Sequence, residues 1–194
     1  MHYITPQDCV RILKVKSIND IRIPMLRSIA EQERQFAKNY YNDDSDRSDK
    51  TREDNIVDGK LGELIVMISL AKSGYEIIQG VLFSDNNSKA LKNGDGGIDL
   101  KSEYQDNRYE IQVKYCNSSW LNFETERQES AVRKNLNDNV KVLICHHCIE
   151  NKHKKYVLRK LDKEFFKLNL KPSNYNNCKS YINCYDIQKF KGFL

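Results

Sequence analysis

Two strict apolar–polar alternations, separated by a short polar interval, constrain this chain more than any other feature. In Ile98–Tyr104, Ile98, Leu100 and Tyr104 share one side, and Asp99, Lys101 and Glu103 share the other. In Tyr109–Cys116, Tyr109, Ile111, Val113 and Tyr115 form the apolar side, and Glu110, Gln112 and Lys114 the polar one. A period of two sustained this way marks a half-buried strand. Asp106-Asn107 reads as the two-residue turn of a hairpin. That register sets Asp99 across from Lys114, and Lys101 across from Gln112. A slip by one residue would drop Asp99 among Ile111 and Val113, where an unpartnered carboxylate is costly. The in-phase register is therefore the expected one.

The flanking segments supply helices. Thr51 is placed to cap a helix that runs to about Ser73 and stops at Gly74. From Leu64 onward that helix is apolar on nearly every side, so other elements must cover it. Tyr75–Phe83 reads as a strand and Ser84–Gly97 as a polar, glycine-rich loop. Glu124–Leu136 is expected to be helical, Val140–Cys148 a strand, and Tyr156–Leu161 its returning partner. Upstream, Thr5-Pro6 starts one helix and Pro24–Tyr41 forms a second, joined to the core by an exposed loop over Asp43–Asn55. The expected organisation is thus an N-terminal helical arm (1–50) and a core (51–194) with a C-terminal extension of unassigned structure.

Composition narrows the class. At 194 residues the chain fits one domain of ordinary size. Its longest apolar run, Leu64–Ala71, is far short of the roughly 18 residues of a membrane span, and 39% hydrophobic with 30% charged residues argues against wholesale disorder. Asp8, Arg11 and Lys14 interrupt the first apolar residues, so no secretory leader is read there, and a reducing cytoplasm is the expected compartment. A net charge of +5 is too mild to establish a polyanionic partner by itself.

The polar side of the hairpin carries the chemistry. Phosphodiester hydrolysis needs a divalent ion to activate water and to neutralise charge growing on phosphate. Mg²⁺ takes hard oxygen ligands and keeps several waters, so one or two carboxylates with an amide oxygen can hold it. Asp99 offers the carboxylate, Gln112 the amide oxygen, and Lys114 an amine on the same side. Glu63, at the edge of the apolar helix, is a further carboxylate able to point back at the sheet.

Asp58-Gly59-Lys60-Leu61-Gly62-Glu63, then Gly96-Gly97-Ile98-Asp99, then Ile111-Gln112-Val113-Lys114 together resemble the PD-(D/E)XK nuclease superfamily, in the branch that writes its last motif Gln-x-Lys. The resemblance spans about residues 55–147. It implies an α/β fold with a restriction-endonuclease-like αβββαβ core, in which a mixed central sheet is flanked by helices. It also implies Mg²⁺-dependent cleavage of DNA, Mn²⁺ serving as a substitute, with Glu63, Asp99 and Gln112 around the metal and Lys114 as the catalytic lysine. Gln112 stands where the family usually has an acid, removing a charge that Glu110, one step along the same side, is placed to supply.

The expected activity is that of a type II restriction-like enzyme acting on double-stranded DNA as a homodimer, since two-fold symmetry matches a palindrome. A structure-specific repair or Holliday-junction-resolving nuclease is the nearest alternative, and a non-catalytic nucleic-acid- or protein-binding module on the same fold is the alternative of another class. Lys101, Trp120, Arg127, Arg133 and Lys134 are candidate DNA contacts. Cys145 and Cys148 have the CxxC spacing of a structural zinc half-site, although Cys145 also continues the apolar run Val142-Leu143-Ile144, which favours a buried strand.

Overall fold

The computed structural model describes residues 2–3, 49–79, 82–83, 97–150, 153–175, 178–192 and 194. Both helices expected upstream of residue 48 lie outside the described residues, as does most of the glycine-rich loop. In chain order the elements are β1 (His2–Tyr3), α1 (Asp49–Lys72), β2 (Glu76–Gln79), β3 (Leu82–Phe83), β4 (Leu100–Tyr104), β5 (Asn107–Cys116) and β6 (Trp120–Phe123). They continue with α2 (Glu126–Asn137), β7 (Lys141–Glu150), β8 (His153–Leu161), α3 (Lys163–Asn169), β9 (Lys171–Pro172), β10 (Ser180–Asn183) and a 3₁₀ turn at Cys184–Asp186.

The central sheet is mixed and has five strands in the order β2-β4-β5-β7-β8. β5 runs antiparallel to β4 and parallel to β7, and α2 lies in the connection between the two parallel strands. A three-stranded antiparallel sheet, β6-β10-β9, forms separately, and β1 pairs with β3. No described helix is long and apolar enough to cross a membrane.

Alternation along the strands sorts the core into two halves. Leu100, Ile111, Val113, Leu143 and Cys145 point to α1 and pack on Leu64 through Ile68 and Leu70. Val142, Ile144 and Leu161 point the other way, onto Val132 of α2, Phe166 of α3, and Leu121, Phe123 and Ile182 of the small sheet. The expected cover over the apolar helix is present: residues 62–68 and Leu70 are all buried. α1 approaches the sheet closely at Gly62, where an added Cβ would stand 3.3 Å from Tyr115 Cβ and 3.4 Å from Cys145 Cβ. A glycine there trades helix propensity for that approach.

Two local expectations need correction. α1 starts at Asp49, so residues 49–55 are helix rather than connector and Thr51 is inside it. The hairpin turn is Gln105-Asp106, not Asp106-Asn107: Tyr104 pairs with Asn107, and the two turn residues have φ of 49° and 61°. Positive φ at both positions is the type I′ geometry whose twist suits a two-residue hairpin. Asn107 supports it with its side chain, donating from Nδ2 to the Gln105 carbonyl at 2.9 Å. The register consequently moves by two residues. Lys101 stands opposite Glu110 rather than Gln112, and Leu100 opposite Ile111. A shift of two preserves the faces, so the polar set stays on one side.

Candidate functional site

The ladder between β4 and β5 ends at Leu100–Ile111, while β5 continues to Cys116 with its other edge paired to β7. Along Gln112–Cys116 the β4 side of the strand is therefore open to whatever precedes Leu100. Asp99 occupies its start. Its backbone N–H donates to the Ile111 carbonyl at 2.8 Å, and its carboxylate Oδ2 accepts from the Val113 N–H at 2.6 Å. The carboxylate takes the place of a strand carbonyl at Val113, the residue between Gln112 and Lys114 in the chain. Asp99 is thus not across from Lys114 as expected, but it lands on the same stretch of strand.

What fixes Asp99 there is the residue pair before it. Gly97 has φ of +78°, and a Cβ on it would meet Asn135 Nδ2 at 3.0 Å and Gln112 Nε2 at 3.1 Å. Only glycine combines that backbone conformation with that approach. The Gly97 carbonyl accepts from Asn135 Nδ2 at 3.1 Å, which pins the turn to α2. Asn135 was not anticipated from the sequence. It is the buried polar residue on the inner face of an amphipathic helix, a signal that only a helical wheel of α2 would have raised.

Gln112 is 3% exposed, and its Oε1 has no hydrogen-bond partner among the described residues. A buried amide oxygen left this way costs about 1–3 kcal/mol unless something else satisfies it. Lys114 is half-buried on the same face, and among the described residues no hydrogen bond or ion pair holds its amine. Glu63 is 8% exposed. Both its carboxylate oxygens lie close to Lys60 Nζ, at 2.9 Å and 3.0 Å. Lys60 sits three residues earlier on α1, a spacing that puts the two side chains together. α1 covers the Ile111–Val113 face, whereas Gln112 and Lys114 alternate to the opposite one. Glu63 and the Gln112–Lys114 pair therefore come to β5 from opposite faces.

The remaining candidates divide by their contacts. Glu110 Oε1 is 2.8 Å from Lys101 Nζ across the exposed end of the hairpin, so the weak metal candidate and the DNA-contact candidate bind each other. Arg133 is held by Glu129 at 2.8 Å and lies over the Phe166 ring at 5.4 Å, which is a packing position. Arg127 and Lys134 are exposed on α2, and Trp120 is exposed on β6.

Cys145 and Cys148 both lie buried on β7, as the apolar run through Cys145 favours. β7 runs unbroken through both, so residues three apart point to opposite faces. Cys145 belongs to the core under α1, where burial pushes its thiol up to about 12. No group of three metal-ligating side chains gathers among the described residues. A different thiol pair does meet: Cys184 Sγ donates to Cys116 Sγ at 3.2 Å, a bond that lowers the Cys116 thiol below its ordinary value. Both are buried, and they tie the end of β5 to the C-terminal turn.

A second polar cluster sits at the start of α1. Tyr115 Oη is 3.3 Å from His147 Nδ1, and the His147 ring stacks on Tyr156 with centroids 4.6 Å apart. Nearby, burial holds the Asp58 carboxyl above its usual range, Asp54 adds to that, and His147 opposes it. A carboxyl raised on folding is ionised at a cost at neutral pH, and the cost vanishes below its unfolded pKa. Asp58→Asn is therefore expected to be more stable than the parent protein near neutrality and to show no advantage at about pH 3, below the ordinary carboxyl range. Urea midpoints at the two pH values check this, and an advantage that persisted in acid would refute the charge-based cause.

No protein-family model matches this chain, and no curated protein is significantly similar to it.

Proposed function

We propose that the chain is a Mg²⁺-dependent DNA endonuclease of the PD-(D/E)XK type. One observation carries the reading: a buried amide oxygen, Gln112 Oε1, that has no hydrogen-bond partner among the described residues, one position along β5 from the N–H that fixes the Asp99 carboxylate. A hard cation is the natural complement of that oxygen pair. The order of elements supports the same reading, since α1, the central-sheet strands β2, β4 and β5, α2 and β7 follow as αβββαβ, with β3 and β6 belonging to other sheets and β7 parallel to β5.

Asp99 and Gln112 would hold the ion, with water completing its shell. When bound, the ion lowers the pKa of a coordinated water and offsets charge on the phosphate. The protein's own part is positional. Val113 N–H and Gly97 keep Asp99 and Gln112 in fixed relation, and Asn135 keeps Gly97 in place. The half-buried Lys114 amine, on the Gln112 face, is suited to orient the attacking water and to stabilise negative charge on the pentacoordinate phosphorus.

The test is conversion of supercoiled plasmid to nicked or linear form in Mg²⁺ or Mn²⁺, with no conversion in chelator. Binding without conversion in either ion would instead support a non-catalytic module on this fold. A second measurement probes the site without relying on cleavage. Gln112→Glu puts a carboxylate where the buried amide was, and in chelator the nearest cation on that face of β5 is the half-buried Lys114 amine, so it is expected to lose about 1–3 kcal/mol of stability there. Saturating Mg²⁺ restores much of that loss by binding only the native state. Thermal midpoints of parent and variant, with and without Mg²⁺, check this. Equal Mg²⁺ shifts in both would mean that Gln112 does not face the ion.

A further inference from the structure

The small sheet turns a polar, aromatic face to solvent that the core does not require. Leu121, Phe123 and Ile182 already fill its inward side. On the outward side the register sets Asn122, Tyr181 and Lys171 in one row across β6, β10 and β9, with Trp120 and Asn183 paired beside them. Trp120 is 44% exposed, and its ring meets Tyr181 edge to face with centroids 5.0 Å apart. Residues 117–119 alone separate this face from the end of β5.

From this face we propose a stacking platform for an unpaired nucleic-acid strand. Every base has a π face, so exposed aromatic rings bind unstacked bases with little regard to sequence. The exposed amide of Asn122 can both donate and accept, as base edges require, while Asn183 Oδ1 caps the 3₁₀ turn by accepting from the Tyr185 N–H at 3.0 Å and leaves its NH₂ as a donor. Lys171, next to Tyr181 in the row, meets a phosphate. The wider charge agrees, since residues 163–194 hold six lysines against two acidic residues. Lys179 is paired with Glu126 at 3.0 Å, which leaves Lys171 to carry the phosphate. Intact duplex suits the face poorly, because its bases are stacked on each other and offer only their edges in the grooves.

The inference deepens the nuclease reading by naming the form of DNA brought to the site, namely one with an unpaired stretch near the scissile bond. It rests on that reading for its consequence in cleavage but not for binding, and the two are measured apart.

Trp120 is the only tryptophan of the chain, so intrinsic emission reports on the platform directly. Full-length protein in chelator is titrated with an oligothymidylate of about a dozen nucleotides, within the range one small β domain covers, and with a mixed-sequence duplex of equal length. The expected result is saturable quenching by the oligothymidylate and at least about tenfold weaker binding of the duplex. Tyr181→Ala is expected to weaken oligothymidylate binding about tenfold, the scale of losing one base stack, while Tyr181→Phe, which keeps the ring, restores it. Lys171→Ala is expected to lower the slope of log affinity against log salt by about 0.7, the value of one phosphate on a single strand. Absent quenching, duplex binding as tight as the oligothymidylate, or a Tyr181→Ala variant that binds unchanged would each overturn the platform. Quenching without cleavage in Mg²⁺ keeps the platform and removes the nuclease, and cleavage without quenching does the reverse.

Discussion

Asp99→Asn is expected to leave the protein folded and to lower Mg²⁺-dependent cleavage about 10²–10³-fold, the range seen when one group stabilising transition-state charge is lost. The separation between fold and chemistry follows from what the carboxylate does in the structure. Oδ2 accepts the Val113 N–H at 2.6 Å and ends the ladder at the open edge of β5. An asparagine keeps an acceptor oxygen for that N–H but loses the negative charge a cation needs. Asp99→Ala loses both, and stranding a part-buried N–H adds about 1–3 kcal/mol of instability. Plasmid cleavage under single-turnover conditions, with urea melts of the same preparations, distinguishes the two variants. An asparagine variant that cuts at the parent rate would show that Asp99 serves the strand end and nothing else.

Much of this arrangement was legible in the sequence, for a physical reason that also marks where legibility stopped. Side-chain phase along a strand is a period-two property, so the alternations at 98–104 and 109–116 fixed which residues share a face for any even-length turn. The turn itself was misplaced by one residue, because non-glycine residues at positive φ, Gln105 and Asp106, carry no strong I′ signal. The move of register by two brought Asp99 to Val113 instead of Lys114 while leaving Gln112 and Lys114 on the expected side. The platform strands were not legible: β6 and β10 span four residues each and β9 two, too short for any period to emerge. At the CxxC pair the apolar run Val142-Leu143-Ile144 guided better than the spacing, which alone does not reveal whether a turn or an extended strand lies beneath it. Lys60 and Asn135 were missed because each acts through a partner, Glu63 and Gly97, that the sequence does not mark as one.

Lys114→Met is expected to match Asp99→Asn in activity, again about 10²–10³-fold down, while leaving both folding and metal binding near the parent values. The choice of methionine follows from the residue's setting. The half-buried lysine stem packs along β5 while its head meets no hydrogen-bond or ion-pair partner among the described residues. An unbranched apolar side chain of similar length keeps the packing and removes only the charge. A lysine kept for solubility would be replaced at no cost to cleavage. A lysine that orients water and offsets phosphate charge would lower the rate of the chemical step without weakening the Mg²⁺ dependence, whereas Gln112→Glu and Asp99→Asn should both move that dependence. The discriminating measurement is therefore the Mg²⁺ concentration for half-maximal single-turnover cleavage in all three variants. A Lys114→Met protein with an unchanged rate, or with a changed metal requirement in place of a changed rate, would take the lysine out of the chemistry and leave Asp99 and Gln112 as a metal site without its catalytic partner.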